Sequence, residues 1–274
     1  MIRCLLLGCL LATVSFNGWS EPAASAPGFD DGCRTPGAAA RDRFRHPAET
    51  LAFFQVHPDS SVLELTPGAG WYSEILAPIL KEKGRYVAAV YAPMEAPEAS
   101  NPLLEALRSR FSHSAACFSR AEMALFDIRS PRLGEADTFD VVLTFRNVHN
   151  WEDSETLELM LGEALRVLRP GGVLGVVDHR ADGPYHQELR PATGYVRTAR
   201  VVDVARKIGF VLEESSEINA NPVDTKNYPN GVWSLPPTLK GGDVDRQKYM
   251  SIGESDRMTL RFRKPEQAAL QEHP

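Results

Sequence analysis

The chain has little that would hold a polyanion. Its 30 Lys and Arg are outnumbered by 36 Asp and Glu, giving a net charge of −6 over 274 residues, whereas nucleic-acid-binding domains present a basic face. Cysteine is scarce too: there are 4, with no C-x-x-C pair and no Cys/His ligand spacing, which argues against a structural zinc. No Gly-Lys-Ser/Thr follows a glycine turn, so there is no P-loop, and no stretch completes G-x-G-x-x-G. The G-x-S-x-G elbow of the α/β-hydrolases is missing as well. Internal repeats are absent, and no apolar run is long enough to span a bilayer comfortably.

What is present begins with Met1-Ile-Arg-Cys-Leu-Leu-Leu-Gly-Cys-Leu-Leu-Ala-Thr-Val14, one early positive charge and then an apolar run. Small residues follow, placing cleavage after Ser20, Ser25 or Ala26, so residues 1–26 are expected to be a signal peptide. Leu6-Leu-Gly-Cys9 has the layout of a lipoprotein box, but too few residues precede Cys9. The expectation is a periplasmic or secreted protein with no stable membrane insertion after signal cleavage. Cys33 and Cys117 then remain, and an oxidising compartment allows them to pair. Spacing alone does not decide whether they meet.

Residues 27–41, in an Ala-, Pro- and Gly-rich stretch, are expected to be a flexible linker, and 266–274 a disordered tail. Between them, 42–265 reads as one α/β domain. Strand candidates are Ser61–Thr66, Arg85–Tyr91, Glu122–Phe126, Phe139–Phe145, Val173–Asp178, Phe210–Ile218 and Met258–Arg263. Helical patterns cover Tyr72–Glu82, Leu103–Ser109, Glu155–Leu168 and Arg200–Ile208, with a helix or two over Asp42–Phe54. The alternation predicts a doubly wound, mostly parallel seven-stranded sheet. Only a loop joins the last two strands, which permits an antiparallel last strand. Residues 219–256 carry Tyr228, Trp233 and four prolines and are expected to form a lid or packed insert.

Ligands of open α/β sheets bind beyond the carboxyl ends of the strands. The first such end is Val62-Leu-Glu-Leu-Thr-Pro-Gly-Ala-Gly-Trp-Tyr-Ser73, a strand, a glycine turn and a helix start. Glycine there lets backbone N–H groups approach a ligand closely, and Glu64 offers a carboxylate to a charged amino group or an amide. The fourth end, Thr144-Phe-Arg-Asn-Val-His-Asn-Trp-Glu-Asp153, carries an imidazole whose ordinary pKa suits a general base. The fifth, Val177-Asp-His-Arg180, places His179 as a rival base. No helical His-x-x-x-His spacing supports a metal, and none is expected.

The pattern E-L-T-P-G-A-G resembles the first motif of class I S-adenosylmethionine-dependent methyltransferases, and Arg166-Val-Leu-Arg-Pro-Gly-Gly-Val-Leu-Gly175 resembles a second family stretch. More narrowly, L-T-P-G-A-G-W-Y, N-V-H-N-W, V-D-H-R-A, N-A-N-P and G-E-S-D-R-M-T-L look like a group of exported bacterial methyltransferases. The resemblance implies the class I methyltransferase-like Rossmann fold, S-adenosyl-L-methionine as cofactor and a small-molecule acceptor. It implies cofactor contacts from Glu64, Thr66, Gly68, Gly70, Asp127 and Asn147, and His149 as the base, with His179 as the alternative. Relatives place an acid at the end of the second strand to hold the ribose. Tyr91 stands there instead, which either moves that contact to the Tyr91 hydroxyl or to Glu95 or signals weakened or altered cofactor use. S-adenosylmethionine is a cytosolic product, so an exported chain also admits a second reading: a non-catalytic binding or sensing protein on this scaffold. Oligomeric state is not legible.

Overall fold

The computed structural model describes residues 29, 31–92, 101–181 and 193–266. Its strands are β1 (Ser61–Leu65), β2 (Arg85–Tyr91), β3 (Ala121–Phe126), β4 (Phe139–Phe145), β5 (Leu168–His179), β6 (Val211–Ser216) and β7 (Arg257–Arg263). They form one seven-stranded sheet in the order β3-β2-β1-β4-β5-β7-β6. β1 to β5 pair in parallel, and β7 runs antiparallel between β5 and β6. The mostly parallel sheet is the one the alternation predicts, and it is the class I methyltransferase Rossmann-like fold that the resemblance implies. The signal-peptide segment 1–26, Glu95 and residues 267–274 of the expected tail lie outside the described residues.

The helices are α1 (Asp42–Arg45), α2 (Pro47–Phe53), α3 (Ser73–Leu80), α4 (Pro102–His113), α5 (Ala115–Phe118), α6 (Val148–Asp153), α7 (Leu157–Val167), α8 (Thr198–Ile208) and α9 (Arg246–Ile252). The central strands are buried on both faces, which is why they read as continuous apolar runs rather than alternating ones. Val62, Val141 and Leu143 face Ile75, Leu76 and Leu107 of α3 and α4. Leu63, Leu65 and Val142, one residue out of phase, face Trp151, Leu161 and Val204 of α6, α7 and α8. A period of two thus feeds two cores from one strand. The outer strand β6 is largely exposed and meets β7 through Arg261 and Arg263 on Glu213. Such a charged edge discourages pairing with another chain.

Most boundaries shift by a few residues from the sequence reading, and three differences matter for the site. Val148–Asp153 forms a short helix, α6, with Asn147 as its N-cap residue and set apart from α7. β5 begins at Leu168 rather than Val173, because Leu168 pairs with Phe139 across a register shift. The third concerns the expected linker. Residues 31–41 are pinned to the domain: Cys33 and Cys117 form a disulfide across 84 positions, Trp71 Nε1 donates to Ala38 O at 3.1 Å, and Arg34 pairs with Asp42 at 2.7 Å. Composition registered the Ala and Gly of this segment but not its anchors.

Candidate active site

Because β1 to β5 are parallel, their carboxyl ends share one edge. The register sets Leu65 beside Ala89 and Thr144, Tyr91 beside Phe126, and Phe145 beside Val177. β7 is antiparallel, so its first residue, Arg257, reaches the same edge opposite His179.

The turn after β1 is built for close approach. Gly68 has φ +61° and Gly70 φ +83°. A Cβ on Gly70 would come within 2.7 Å of Leu107, whereas one on Gly68 would meet nothing and so project into open space. Thr66 sits at φ +51°, a costly left-handed conformation for a β-branched residue. Its buried hydroxyl has no partner among the described residues. Glu64 is buried, and its Oε2 accepts from Ser73 Oγ at 2.9 Å and Tyr86 Oη at 2.5 Å. Burial pushes its pKa up to about 7 against those two hydrogen bonds. The carboxylate thus anchors α3 and β2 through one oxygen, and its Oε1 has no hydrogen-bond partner among the described residues. An orphaned hydroxyl, an uncommitted carboxylate oxygen and an open glycine are what a polar ligand bearing an amino group requires, so these residues fit S-adenosyl-L-methionine.

Asn147 is a clamp. Its Nδ2 lies 3.0 Å from Leu65 O, 3.3 Å from Thr66 O and 3.1 Å from Thr144 Oγ1, fastening the β1 turn to β4. Tyr91 is partly exposed at the end of β2, edge-on to Phe126, and its carbonyl accepts from Asn101 Nδ2 at 2.7 Å. Asp127, at the end of β3, accepts from Arg129 N at 2.8 Å through Oδ1, an Asx turn.

The densest chemistry lies at the ends of β4 and β5. Asp178 is fully buried and accepts four donors. Its Oδ2 takes Val148 N at 2.6 Å and His149 N at 3.4 Å. Its Oδ1 takes His149 Nδ1 at 2.9 Å and its neighbour's amide, His179 N, at 2.7 Å. One carboxylate therefore caps α6 and fixes the imidazole on its first turn. With the proton on Nδ1 facing the acceptor, Nε2 of His149 carries the lone pair. Trp151, buried in the sheet-side core, seats the same helix.

His179 is arranged differently. Its Nδ1 meets Ser255 Oγ at 2.5 Å, and its ring lies 5.0 Å from that of His149. Burial, then His149 and the guanidinium groups of Arg146, Arg257 and Arg45, hold its pKa well below the usual range, which keeps it neutral. Trp233, from the segment expected as a lid, stands edge-on to His149 at 6.3 Å.

His149, Asp178 and His179 bring potential ligand atoms within 4.8 Å of one another, a grouping the sequence spacing gave no sign of. The Asp178 oxygens and His149 Nδ1 are already committed to hydrogen bonds within the protein. Sequence reasoning placed Asp178 on the rim but missed its partnership with His149, 29 positions away. It also missed Ser255, which stands inside the quoted G-E-S-D-R stretch without an obvious role.

Residues 63–176, from β1 into β5, match the family described as "Methyltransferase domain". No curated protein sequence matches the chain. Among solved structures, a SAM-dependent methyltransferase from Aquifex aeolicus is 15% identical, with a TM-score of 0.57, the alignment covering 82% of this chain and 93% of that one. The [4+2]-cyclase SpnF is 15% identical at TM-score 0.56, covering 81% and 80%. The YcgJ protein from Bacillus subtilis is 14% identical at 0.52, covering 81% and 99%. At such identities the neighbours establish the fold. The domain match adds the cofactor class: the domain uses S-adenosyl-L-methionine.

Proposed function

We propose that the protein transfers a methyl group to an ionisable atom, such as a hydroxyl, of a small molecule, with His149 as general base. The observation that carries this is the Asp178–His149 pair, set one strand away from the glycine turn on the shared edge. S-adenosyl-L-methionine, when bound, supplies a methyl group on a cationic sulfur. The chain's own task is then alignment and proton removal. Glu64 Oε1, Thr66 Oγ1 and the backbone around Gly68 and Gly70 hold the donor's polar end. Tyr91 or Glu95 would hold the ribose and Asp127 the adenine, while Asn147 fastens the β1 turn to β4. His149 Nε2 would take the acceptor proton as the methyl group is transferred. Asp178 balances the imidazolium. His179, held neutral, donates or accepts a hydrogen bond at the acceptor.

The reading includes export through residues 1–26, in the manner of the exported group that the motifs resemble. The Cys33–Cys117 disulfide supports an oxidising location. Fractionation of a C-terminally tagged chain tests it: cleaved periplasmic protein is expected, and uncleaved cytoplasmic protein rejects it. One observation favours a second reading, a binding protein without turnover: Tyr91 stands where the family that the motifs resemble places a ribose-binding acid. Calorimetric titration with S-adenosylmethionine and S-adenosylhomocysteine comes first, and failure to bind either removes the transferase. Binding of both, with no label passing from methyl-labelled donor to small molecules of a periplasmic extract, selects the binder.

A further inference from the structure

Beside the imidazole pair lies a group of arginines that neither the fold nor the base explains. Arg41 comes from the segment before α1, Arg45 from α1 itself, Arg146 from the residue after β4 and Arg257 from the start of β7. One buried carboxylate, Glu254, serves three of them. It accepts from Arg41 Nε at 2.6 Å and Arg45 Nε at 3.0 Å, and it pairs with Arg257. Arg146 has no carboxylate of its own among the described residues. Its backbone is held at φ +62° by the bond from its N–H to Val177 O at 2.7 Å.

The charges do not balance. Four guanidinium groups face Glu254 and the already committed Asp178, and Arg41 Nη2, Arg45 Nη2 and Arg257 Nε are buried without a partner among the described residues. Leaving buried cationic donors unpaired is costly. Burial and the neighbouring Arg146 bring the Arg45 pKa down to about 9. Burial and then Arg257 bring Arg146 down to about 10. The guanidinium groups of Arg257, Arg45 and Arg41 overcome burial and hold Glu254 at about 2. The site therefore holds surplus positive charge with donors to spare, the state of a receptor waiting for an anion.

The scaffold around it is rigid. Asn219 Nδ2 donates to Thr50 Oγ1 and Thr259 Oγ1 at 3.0 Å each. Asn221 Nδ2 donates to Ile252 O and Glu254 O at 2.9 and 2.7 Å. The N-A-N-P turn thereby fixes the loop that presents Glu254 and Arg257. The Arg45 guanidinium also rests on the Trp71 ring at 4.5 Å.

We propose that Arg41, Arg45, Arg146 and Arg257 bind one oxyanion, a carboxylate or phosphate carried by the methyl acceptor, and so orient its reacting atom toward His149. The substrate class is a small acid. This rests on the methyl-transfer reading, but the site is testable without it. Arg257 stands opposite His179 in the β5–β7 register, beside the proposed base, which favours an anion on the acceptor. Arg45, resting on Trp71 just after Gly70, brings the cluster close to the glycine turn too, so the test includes the affinity for S-adenosylhomocysteine.

Inorganic phosphate titrated into the full mature chain, saturated with S-adenosylhomocysteine and followed by tryptophan fluorescence, is the test. Saturable binding is expected, at least tenfold weaker in Arg146→Met and unchanged in Arg169→Met, which lies on the opposite edge of the sheet. Arg41→Gln should weaken it as well and keeps the test readable if Arg146→Met fails to fold. The affinity for S-adenosylhomocysteine should stay within threefold. Absent phosphate binding, or equal binding in both cluster variants and wild type, overturns the proposal. A tenfold loss of S-adenosylhomocysteine affinity in Arg146→Met also overturns it, by giving the cluster to the cofactor's carboxylate. If S-adenosylhomocysteine does not bind at all, methyl transfer fails as a reading, and the same phosphate titration on the free protein still decides the site.

Discussion

At the residue scale, the two strongest sequence signals turn out to have inner partners. Glu64 was legible as a carboxylate at a ligand-facing turn. Its engagement by Tyr86 and Ser73 was not, because those partners come from two other elements. Its pKa of about 7 lies above the value of an exposed glutamate. The stabilising contribution of the protonated form is therefore complete below about pH 4.5 and is lost as pH rises through 7. Glu64→Gln should accordingly gain thermal stability over wild type steadily from pH 5 to pH 8, with little difference at pH 4.5; a constant offset would sink the assignment. A cationic amino group beside Oε1 reverses the shift, so S-adenosylhomocysteine binding near pH 6.5 should release a proton. Calorimetry in buffers of different ionisation heat reads this, and Glu64→Gln should abolish it. For His149, Asn is the informative replacement, since its side-chain amide can still donate to Asp178 while lacking the basic nitrogen. His149→Asn should keep S-adenosylhomocysteine affinity within about threefold and cut turnover by about 10²- to 10⁴-fold. Retained turnover would reject the base.

At the scale of elements, the strands were legible and the short helices were not. Val62–Leu65, Val141–Leu143 and Val173–Val177 announce themselves because both of their faces are buried. α6 has only 6 residues, and its Asn, His, Glu and Asp read as loop. What makes it a helix is tertiary: Asp178 satisfies its first amides, and Trp151 fills the core beneath. α9 is hidden for a similar reason, with one buried residue, Tyr249, to mark a face. This gives Asp178 a structural role separable from proton transfer. Asp178→Asn should cost about 1–3 kcal/mol, the penalty of leaving buried donors poorly satisfied. Amide exchange should quicken first at Val148 and His149. Trp151→Ala should cost about 3–5 kcal/mol, and urea unfolding distinguishes the two variants by size.

At the scale of the whole molecule, a single edge of the sheet gathers residues that the sequence scatters from Arg41 to Arg257. Fold class and glycine turn can be read from local pattern, since each is contiguous. The arginine group cannot, since its members come from three separate stretches, around Arg41 and Arg45, at Arg146 and at Arg257, and share only the edge the topology creates. The disulfide holds this arrangement at large range. Closing a loop of 84 residues removes about 4–5 kcal/mol of chain entropy from the unfolded state. Cys33→Ser with Cys117→Ser should lower stability by up to that amount, measured by denaturant midpoint against the oxidised protein; an unchanged midpoint would show that the bridge carries no stability.

Arg41 and Arg45 enter the edge on a segment tied down at Cys33, so the bridge is a covalent anchor of the proposed receptor. A chain held reduced has its sheet, its glycine turn and its imidazole, while two of its four arginines ride on a looser strap. Mild reduction should therefore weaken phosphate binding at temperatures where the sheet is still intact. The oxidation state of one bond remote from the charges would then set how well the proposed receptor is formed.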